Sequence, residues 1–230
     1  MGTYYKNIEQ YLDRIDHGSW IEIGVDRGEG STKFFCDLSQ HHATKFFAVD
    51  ADLDQVMRAR YSLSLTGNAT VNPDGTVTQD VGEPPSHVTF IHGRGEVFID
   101  KLQEQDPGGK VSLVYLDNFD WDYWVGRQEE SFVPAQKEHY KKTMGVEMTN
   151  INSQQAHLLQ AIKLMPWMTD NSIIVCDDTW YHPQEGVFIG KCSAVIPFLL
   201  LNGYKVLHTD GYRQNSGVIL GKFKTVDKTD

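Results

Sequence analysis

The sequence predicts a doubly wound α/β domain built on a mostly parallel seven-stranded sheet whose last strand is antiparallel. Three observations carry this expectation. Short apolar stretches alternate with helical patterns through most of the chain, which implies a parallel sheet covered on both faces. Only a brief polar turn separates the last two strand-like stretches, too short for a crossover helix, so those two must pair as a hairpin. The 230 residues, 40% hydrophobic and 11% aromatic, can bury one substantial core and are read as a single domain over residues 1–230.

In chain order, residues 4–15 place Tyr4, Ile8, Tyr11, Leu12 and Ile15 on one face of a helix. Strands are expected at 19–25 (SWIEIGV), 45–50 (KFFAVD), 87–92 (HVTFIH), 111–117 (VSLVYLD) and 172–177 (SIIVCD), with helices at 30–39, 52–64, 95–104 and 153–166. A further helix is expected over 191–202, kinked at Pro197 and capped by Gly203. The strands YKVLHT and SGVILGKF close the chain around the turn DGYRQN.

Two insertions interrupt this plan. The first, residues 65–86, carries Asn72-Pro73-Asp74-Gly75 between β-prone triplets and reads as a hairpin. It joins a helix to a strand, at the edge of the sheet away from the usual ligand side, and is expected to be decoration or a contact in a homo-oligomer. The second, residues 118–152, follows a strand and so rises from the edge where ligands bind in this architecture. With Gly126, Pro134 and Gly145 and little periodicity, it reads as a lid.

Composition narrows the function. Lys plus Arg is 21 against 31 Asp plus Glu, a net charge of −10, which repels a phosphate backbone and argues against a nucleic-acid partner. Cys36, Cys176 and Cys192 are odd in number and far apart, which fits neither a disulfide framework nor a zinc ribbon. No stretch has the roughly 18 uninterrupted apolar residues of a membrane span. The opening MGTYYKNIEQYLDRI lacks the apolar run of a secretory signal, so a cytoplasmic location is expected.

The most informative stretch is Glu22-Ile23-Gly24-Val25-Asp26-Arg27-Gly28-Glu29-Gly30, an ExGxxxGxG run directly after a strand and before a helix. Glycines there allow a tight turn and a close approach to the main chain, and the helix starting near Ser31 and Thr32 supplies free N–H groups. The spacing is neither the GxGxxG of a dinucleotide fold nor a P-loop. Asp50 ends the second strand about 20 residues later, where a carboxylate can accept both hydroxyls of a ribose. Asp50 or Asp52 could instead cap the following helix.

At this point the chain resembles the class I S-adenosylmethionine-dependent methyltransferases, over nearly its whole length. The resemblance implies a Rossmann-like methyltransferase fold and S-adenosylmethionine as cofactor. It implies that Gly24, Gly28 and Gly30 line the methionine part, that Glu22 holds the loop with Ser31 beside it, and that Asp50 holds the ribose. Gly93 to Glu96, in HGRGEV after the third strand, with Arg94 among them, would lie beside the adenine, and Asn118 after the fourth strand is a further cofactor-binding candidate.

Asp117 ends the fourth strand in VYLDNFDW, and Asp177 and Asp178 end the fifth in IIVCDDTW. Adjacent parallel strands lie about 4.8 Å apart, so these tips can converge. Carboxylates so clustered repel unless a cation lies among them, and an all-oxygen set suits Mg²⁺, Mn²⁺ or Ca²⁺. One aspartate could alternatively cap a helix while the others face water. The runs VTFIHGRGEVFIDKL, VSLVYLD and SIIVCDD resemble the metal-dependent O-methyltransferases of the catechol and macrocin types. That resemblance implies a divalent metal, Mg²⁺ first, on Asp117, Asp177 and Asp178, activating an acceptor hydroxyl. Catechol-type enzymes place a lysine base where this chain has Asp120; the DD pair and long insertion look more like the macrocin type, which act on sugar hydroxyls.

Candidates for the catalytic base are Asp117, Asp120, His139 in the second insertion and His182 in TWYHPQ. Trp121, Tyr123, Trp124, Trp180 and Tyr181 leave the same sheet edge and could face a sugar ring or form a packed lid. The reading is a metal-assisted O-methyltransferase acting on a small-molecule hydroxyl of the sugar or natural-product type, without nucleic-acid or membrane partners. A non-catalytic domain that binds the cofactor as a sensor or scaffold is the alternative.

Overall fold

The computed structural model describes residues 3–25, 28, 30–71, 77–122, 133–209 and 216–224. Its centre is a seven-stranded sheet in the order β10-β11-β7-β6-β1-β2-β5. The strands are β1 (Ser19–Ile23), β2 (Phe46–Asp50), β5 (Val88–His92), β6 (Val111–Leu116), β7 (Met168–Asp177), β10 (Lys205–Thr209) and β11 (Gly217–Lys222). β1, β2, β5, β6 and β7 pair in parallel, and β11 runs antiparallel to both β7 and β10. The doubly wound, mostly parallel sheet with a reversed last strand is therefore what the chain forms.

Side-chain alternation divides the core in two. In β6, Val114 and Leu116 face the layer of α3 (Gly95–Gln105), α5 (Asn150–Leu164) and α6 (Val195–Leu201), while Leu113 and Tyr115 face the opposite layer. β7 repeats this, with Ile174 and Cys176 on one side and Ile173 and Val175 on the other. The second layer holds α1 (Ser31–His41), α2 (Leu53–Ser64) and an N-terminal 3₁₀ helix, Tyr4–Arg14. Burial of each such Leu, Ile or Val contributes about 1.5–3 kcal/mol, so continuous apolar strands are stable only when both faces are covered. The same parity puts Asp117 and Asp177 on the face of Tyr115 and the N-terminal helix.

Two small hairpins sit outside this sheet. β3 (Leu65–Val71) pairs antiparallel with β4 (Val77–Val81), the hairpin read at 65–86. Its turn, residues 72–76, lies outside the described residues, as do Tyr123, Trp124 and Gly126 of the second insertion. That insertion forms α4 (Val133–Met144) before α5. The second hairpin, β8 (Thr179–His182) with β9 (Val187–Gly190), has no counterpart in the sequence reading. It displaces the following helix: α6 begins only at Val195, so Pro197 lies in its first turn, where a missing N–H costs nothing, and makes no kink. Gly203, φ +86°, follows the last turn as expected of a C-terminal glycine.

The N-terminal helix is locked at the C-terminal edge of the parallel strands. Gly217 pairs with Asp177 in register, and a Cβ on Gly217 would lie 2.0 Å from the Tyr4 ring. Only glycine there leaves space for Tyr4 beside Asp177. Gly217→Ala should therefore expel Tyr4 and cost about 1–3 kcal/mol, lowering Tm by about 5 °C for a chain of this size. A melting curve like that of the wild type would show that the helix end is not held there.

Candidate functional site

The strand ends β1, β2, β5 and β6 are tied to one another beyond their last residues. Gly24 N–H donates to Val49 O, Gly93 N–H to Asp50 O and Asp117 N–H to Ile23 O, each at 2.8 Å. Gly24 has φ +99°, and a Cβ there would meet Asn118 N at 2.5 Å; Gly28 has φ +75°, and its Cβ would meet Ala59 Cα at 2.4 Å. At these two positions the glycines accommodate the chain itself, the loop after β6 and the flank of α2. Gly30, φ +65°, is the N-cap of α1, and Ser31 is that helix's first residue.

Of the two aspartates, Asp52 takes the helix-capping role. Asp52 caps α2 by accepting from Asp54 N–H at 2.8 Å. Asp50 accepts from Val25 N–H through Oδ2 at 3.0 Å and from Asp52 N–H through Oδ1 at 2.8 Å. These two bonds orient the Asp50 carboxylate at the mouth of the glycine turn.

Glu22 lies wholly buried under that turn, and neither carboxyl oxygen has a hydrogen-bond partner of normal geometry. Burial pushes its carboxyl up to about 8, against the opposing pull of the nearby Ser31 and Thr32 hydroxyls. At the other end, Arg94 forms an ion pair with Glu96 at 2.5 Å beside Gly93. Asn118 Oδ1 and both amide atoms of buried Gln160 lack partners, and Gln160 Nε2 lies 2.9 Å from where a Cβ on Gly95 would be. The partnerless Asn118 Oδ1 and Gln160 amide, on the same edge as the oriented Asp50, are polar groups that a nucleoside would satisfy, so S-adenosylmethionine fits the residues present.

Asp117, Asp177 and Asp178 converge as expected, but on a lysine. Lys191 Nζ lies 2.7 Å from Asp117 Oδ1, 3.2 Å from Asp178 Oδ2, and 3.9 Å from both Asp177 Oδ2 and Asp120 Oδ1. Its side chain is only 3% exposed. Burial alone would lower its ammonium, yet Asp117, Asp178, Asp177 and Asp120 hold it well above the usual lysine range. Asp117 is itself raised, first by burial and then by Asp177, with Lys191 opposing. Tyr4 donates its hydroxyl proton to Asp177 Oδ1 at 2.5 Å, which leaves its oxygen to accept from the Tyr115 hydroxyl at 3.1 Å. Among the described residues no group of His, Cys, Asp and Glu has a metal-holding arrangement. A divalent metal therefore does not fit these side chains as they stand, because an ammonium occupies the place where their oxygens meet.

The backbone is strained at both carboxylate-bearing loops: Phe119 has φ +64° and Asp178 φ +44°. Asp178 is held by the β8–β9 hairpin. Its carbonyl accepts from Lys191 N–H at 3.1 Å, and a Cβ on Gly190 would meet that carbonyl at 2.0 Å.

The two histidines are placed elsewhere. His139 pairs through Nε2 with Asp52 Oδ2 at 2.8 Å, at the start of α2, because α4 carries it there. His182 ends β8, three residues and about 10 Å beyond Thr179. The contacts that surround Lys191 come from Asp117, Asp120, Asp177 and Asp178. Asp120 Oδ2 also accepts from Gln136 Nε2 at 2.5 Å. Trp180 is buried and Tyr181 packs on Phe188, ring centroids 5.2 Å apart, so these two form hairpin core, with Tyr181 partly exposed. Lys191 and Tyr4 escaped the sequence reading. The alternation TWYH and VFIG around PQEG is the signal that could have found the hairpin and hence Lys191.

No protein-family model and no curated relative matches the sequence. Solved structures do. The Streptococcus mutans protein SMU.1697c, assigned as a methyltransferase and crystallised with SAH, superposes with a TM-score of 0.52 at 11% identity, over 97% of this chain and 99% of that one. An rRNA methylase from Streptococcus thermophilus gives 0.51 at 10% identity, over 97% and 98%. A Clostridium thermocellum protein assigned as an rRNA-methylase gives 0.53 at 10%, over 97% and 98%. At such identities the likeness shows the fold, and the fold is the Rossmann-like methyltransferase fold. Among the described residues no helix is long and apolar enough to cross a membrane.

Glu22 generates a stability prediction. With a folded-state value of about 8 against an ordinary 4.5, its contribution is lost as pH rises from the second value through the first. Glu22→Gln should match the wild type at pH ~4 and exceed it above pH ~8 by on the order of 5 kcal/mol. Urea unfolding at the two pH values reads this, and an equal gap at both would sink it.

Proposed function

We propose that this chain is an S-adenosylmethionine-dependent methyltransferase that methylates a hydroxyl oxygen of a small molecule. The observation that carries the reading is the meeting, at one edge of a methyltransferase-fold sheet, of an Asp50-braced glycine turn with the Asp117 cluster. Asp117 C would lie 2.6 Å from a Cβ on Gly24, so the two halves of the site share a wall. When bound, S-adenosylmethionine supplies a methyl carried on a sulfonium. Asp50 would hold the ribose, Asn118 and Gln160 would satisfy the nucleoside, and the turn from Gly24 to Gly30 would seat the methionine part. In transfer the C–S bond breaks as the O–C bond forms, in line, and the acceptor's hydroxyl proton passes to a carboxylate.

Asp117 is that carboxylate in this proposal, since it adjoins the glycine turn and its raised proton affinity suits a base. The net charge of −10 and the acidic edge favour a neutral small acceptor over RNA, although two of the fold's relatives are described as rRNA methylases.

The test is incubation with methyl-labelled cofactor and a panel of sugar, nucleotide-sugar, phenolic and RNA acceptors. Asp50→Ala should weaken cofactor binding about 10–100-fold by calorimetry, the loss of a charge-assisted pair of hydrogen bonds. Asp117→Asn should spare cofactor affinity and reduce kcat about 10²–10⁴-fold. Cofactor binding without transfer to any acceptor would support the sensor or scaffold alternative; no binding at all would end the methyltransferase reading.

A further inference from the structure

The fold's strand-end carboxylates and the buried lysine among them pose a question that the proposed methyl transfer leaves open: what neutralises this edge. We propose that the Lys191 ammonium is the built-in cation of the carboxylate cluster, filling the place of a divalent metal and excluding one. The inference deepens the functional reading above and rests on it for its bearing on catalysis, but its geometry stands alone.

Position comes first. The ammonium lies within hydrogen-bonding distance of Asp117 and Asp178 and under 4 Å from Asp177 and Asp120. It also approaches Asp117 O at 3.4 Å. An oxygen-bound divalent ion sits about 2.0–2.6 Å from its ligands. The two cations would therefore compete for one volume, and placing them side by side in a buried edge is strongly repulsive.

Delivery comes second. A lysine side chain usually extends into water, yet this one is 3% exposed. The β8–β9 hairpin brings it there and holds it by three contacts around its backbone. Gly190 lies against Asp178 O, Lys191 N–H donates to that same carbonyl at 3.1 Å, and Cys192 N–H donates to Thr179 Oγ1 at 3.0 Å. The base of the side chain is fixed by the same loop that carries two of the carboxylates, so withdrawing the ammonium requires moving the loop.

The chemistry then differs from that of a metal site. An ammonium donates hydrogen bonds and balances charge, but it does not open coordination positions to an acceptor oxygen. Lys191 is thus a positioning residue: it fixes Asp117 and Asp178 against their mutual repulsion.

Mn²⁺ titration of the full chain, followed by the paramagnetic resonance of free Mn²⁺ and by calorimetry, tests this without any turnover. The wild type should show no saturable site. Lys191→Ala and Lys191→Met should each gain one, at least about 10-fold tighter than any wild-type binding, and Asp177→Asn added to either should abolish it. Lys191→Arg should keep the site closed. Saturable Mn²⁺ binding by the wild type that Asp177→Asn removes would overturn the proposal. So would a folded Lys191→Met that gains none. If neither variant folds, the wild-type titration decides. Failure of methyl transfer would leave all of these readouts unaffected, so the two readings fall separately.

Discussion

Repulsion among the carboxylates at the ends of β6 and β7 is the constraint around which this sheet edge is organised. Asp117, Asp177 and Asp178 are brought together by parallel strands that each terminate in an acidic residue, and parallel pairing leaves them no freedom to diverge. One buried ammonium, 2.7 Å from Asp117, and one tyrosine hydroxyl on Asp177 compensate them. Both groups arrive from elements outside the parallel sheet. The lysine comes on the β8–β9 hairpin and the tyrosine on the N-terminal helix, 173 residues away in sequence from its partner. Removing one member of such a buried set costs more than the set contributes as a whole, because it leaves charge uncompensated.

The loops around this edge carry strained backbone. Left-handed backbone at Gly24, Gly28 and Gly30, and at the non-glycine residues Phe119 and Asp178, lies in the loops that surround it. Such conformations persist only when neighbouring structure over-determines them. Here the determinants are visible: Asp117–Asn118 backbone against Gly24, Ala59 against Gly28, and Gly190 against the Asp178 carbonyl. Strain at one loop is held by packing at the next, which fixes the carboxyl and N–H groups before any ligand arrives and reduces the reorganisation that binding requires.

The parallel sheet was legible because its signals are local and repeated. Five apolar strands such as VSLVYL recur with four helical patterns between them, and the short turn after YKVLHT forces the reversed last strand whatever the tertiary context. Asp50 and the glycine run were legible for the same reason, as each belongs to one strand end. What the sequence concealed was partnership. Nothing within Lys191's neighbours marks it as a buried cation, because TWYH and VFIG are short, and their pairing matters only once the hairpin folds onto Asp178. Tyr4 reads as one apolar position in an amphipathic helix; its role depends on the absent side chain of Gly217 at the far end of the chain. His139 is a similar case, since α4 sets it against Asp52 at the start of α2, a partnership that no local pattern announces.

The identity of the neutralising cation bears on what the edge can receive. A divalent metal among three carboxylates would leave about one net negative charge and open coordination sites that draw in anionic or chelating oxygens. One ammonium among the same three leaves more negative charge, and Asp120 at 3.9 Å adds to it. Asp117's raised proton affinity follows first from burial and then from that excess, Asp177 above all. Such an edge repels phosphate and carboxylate groups at short range and accepts hydroxyl or amino protons readily. Acceptor choice in the proposed reaction would then be set by charge before shape, with neutral or cationic molecules admitted to the carboxylates and polyanions turned away by the same field that holds Lys191 in place.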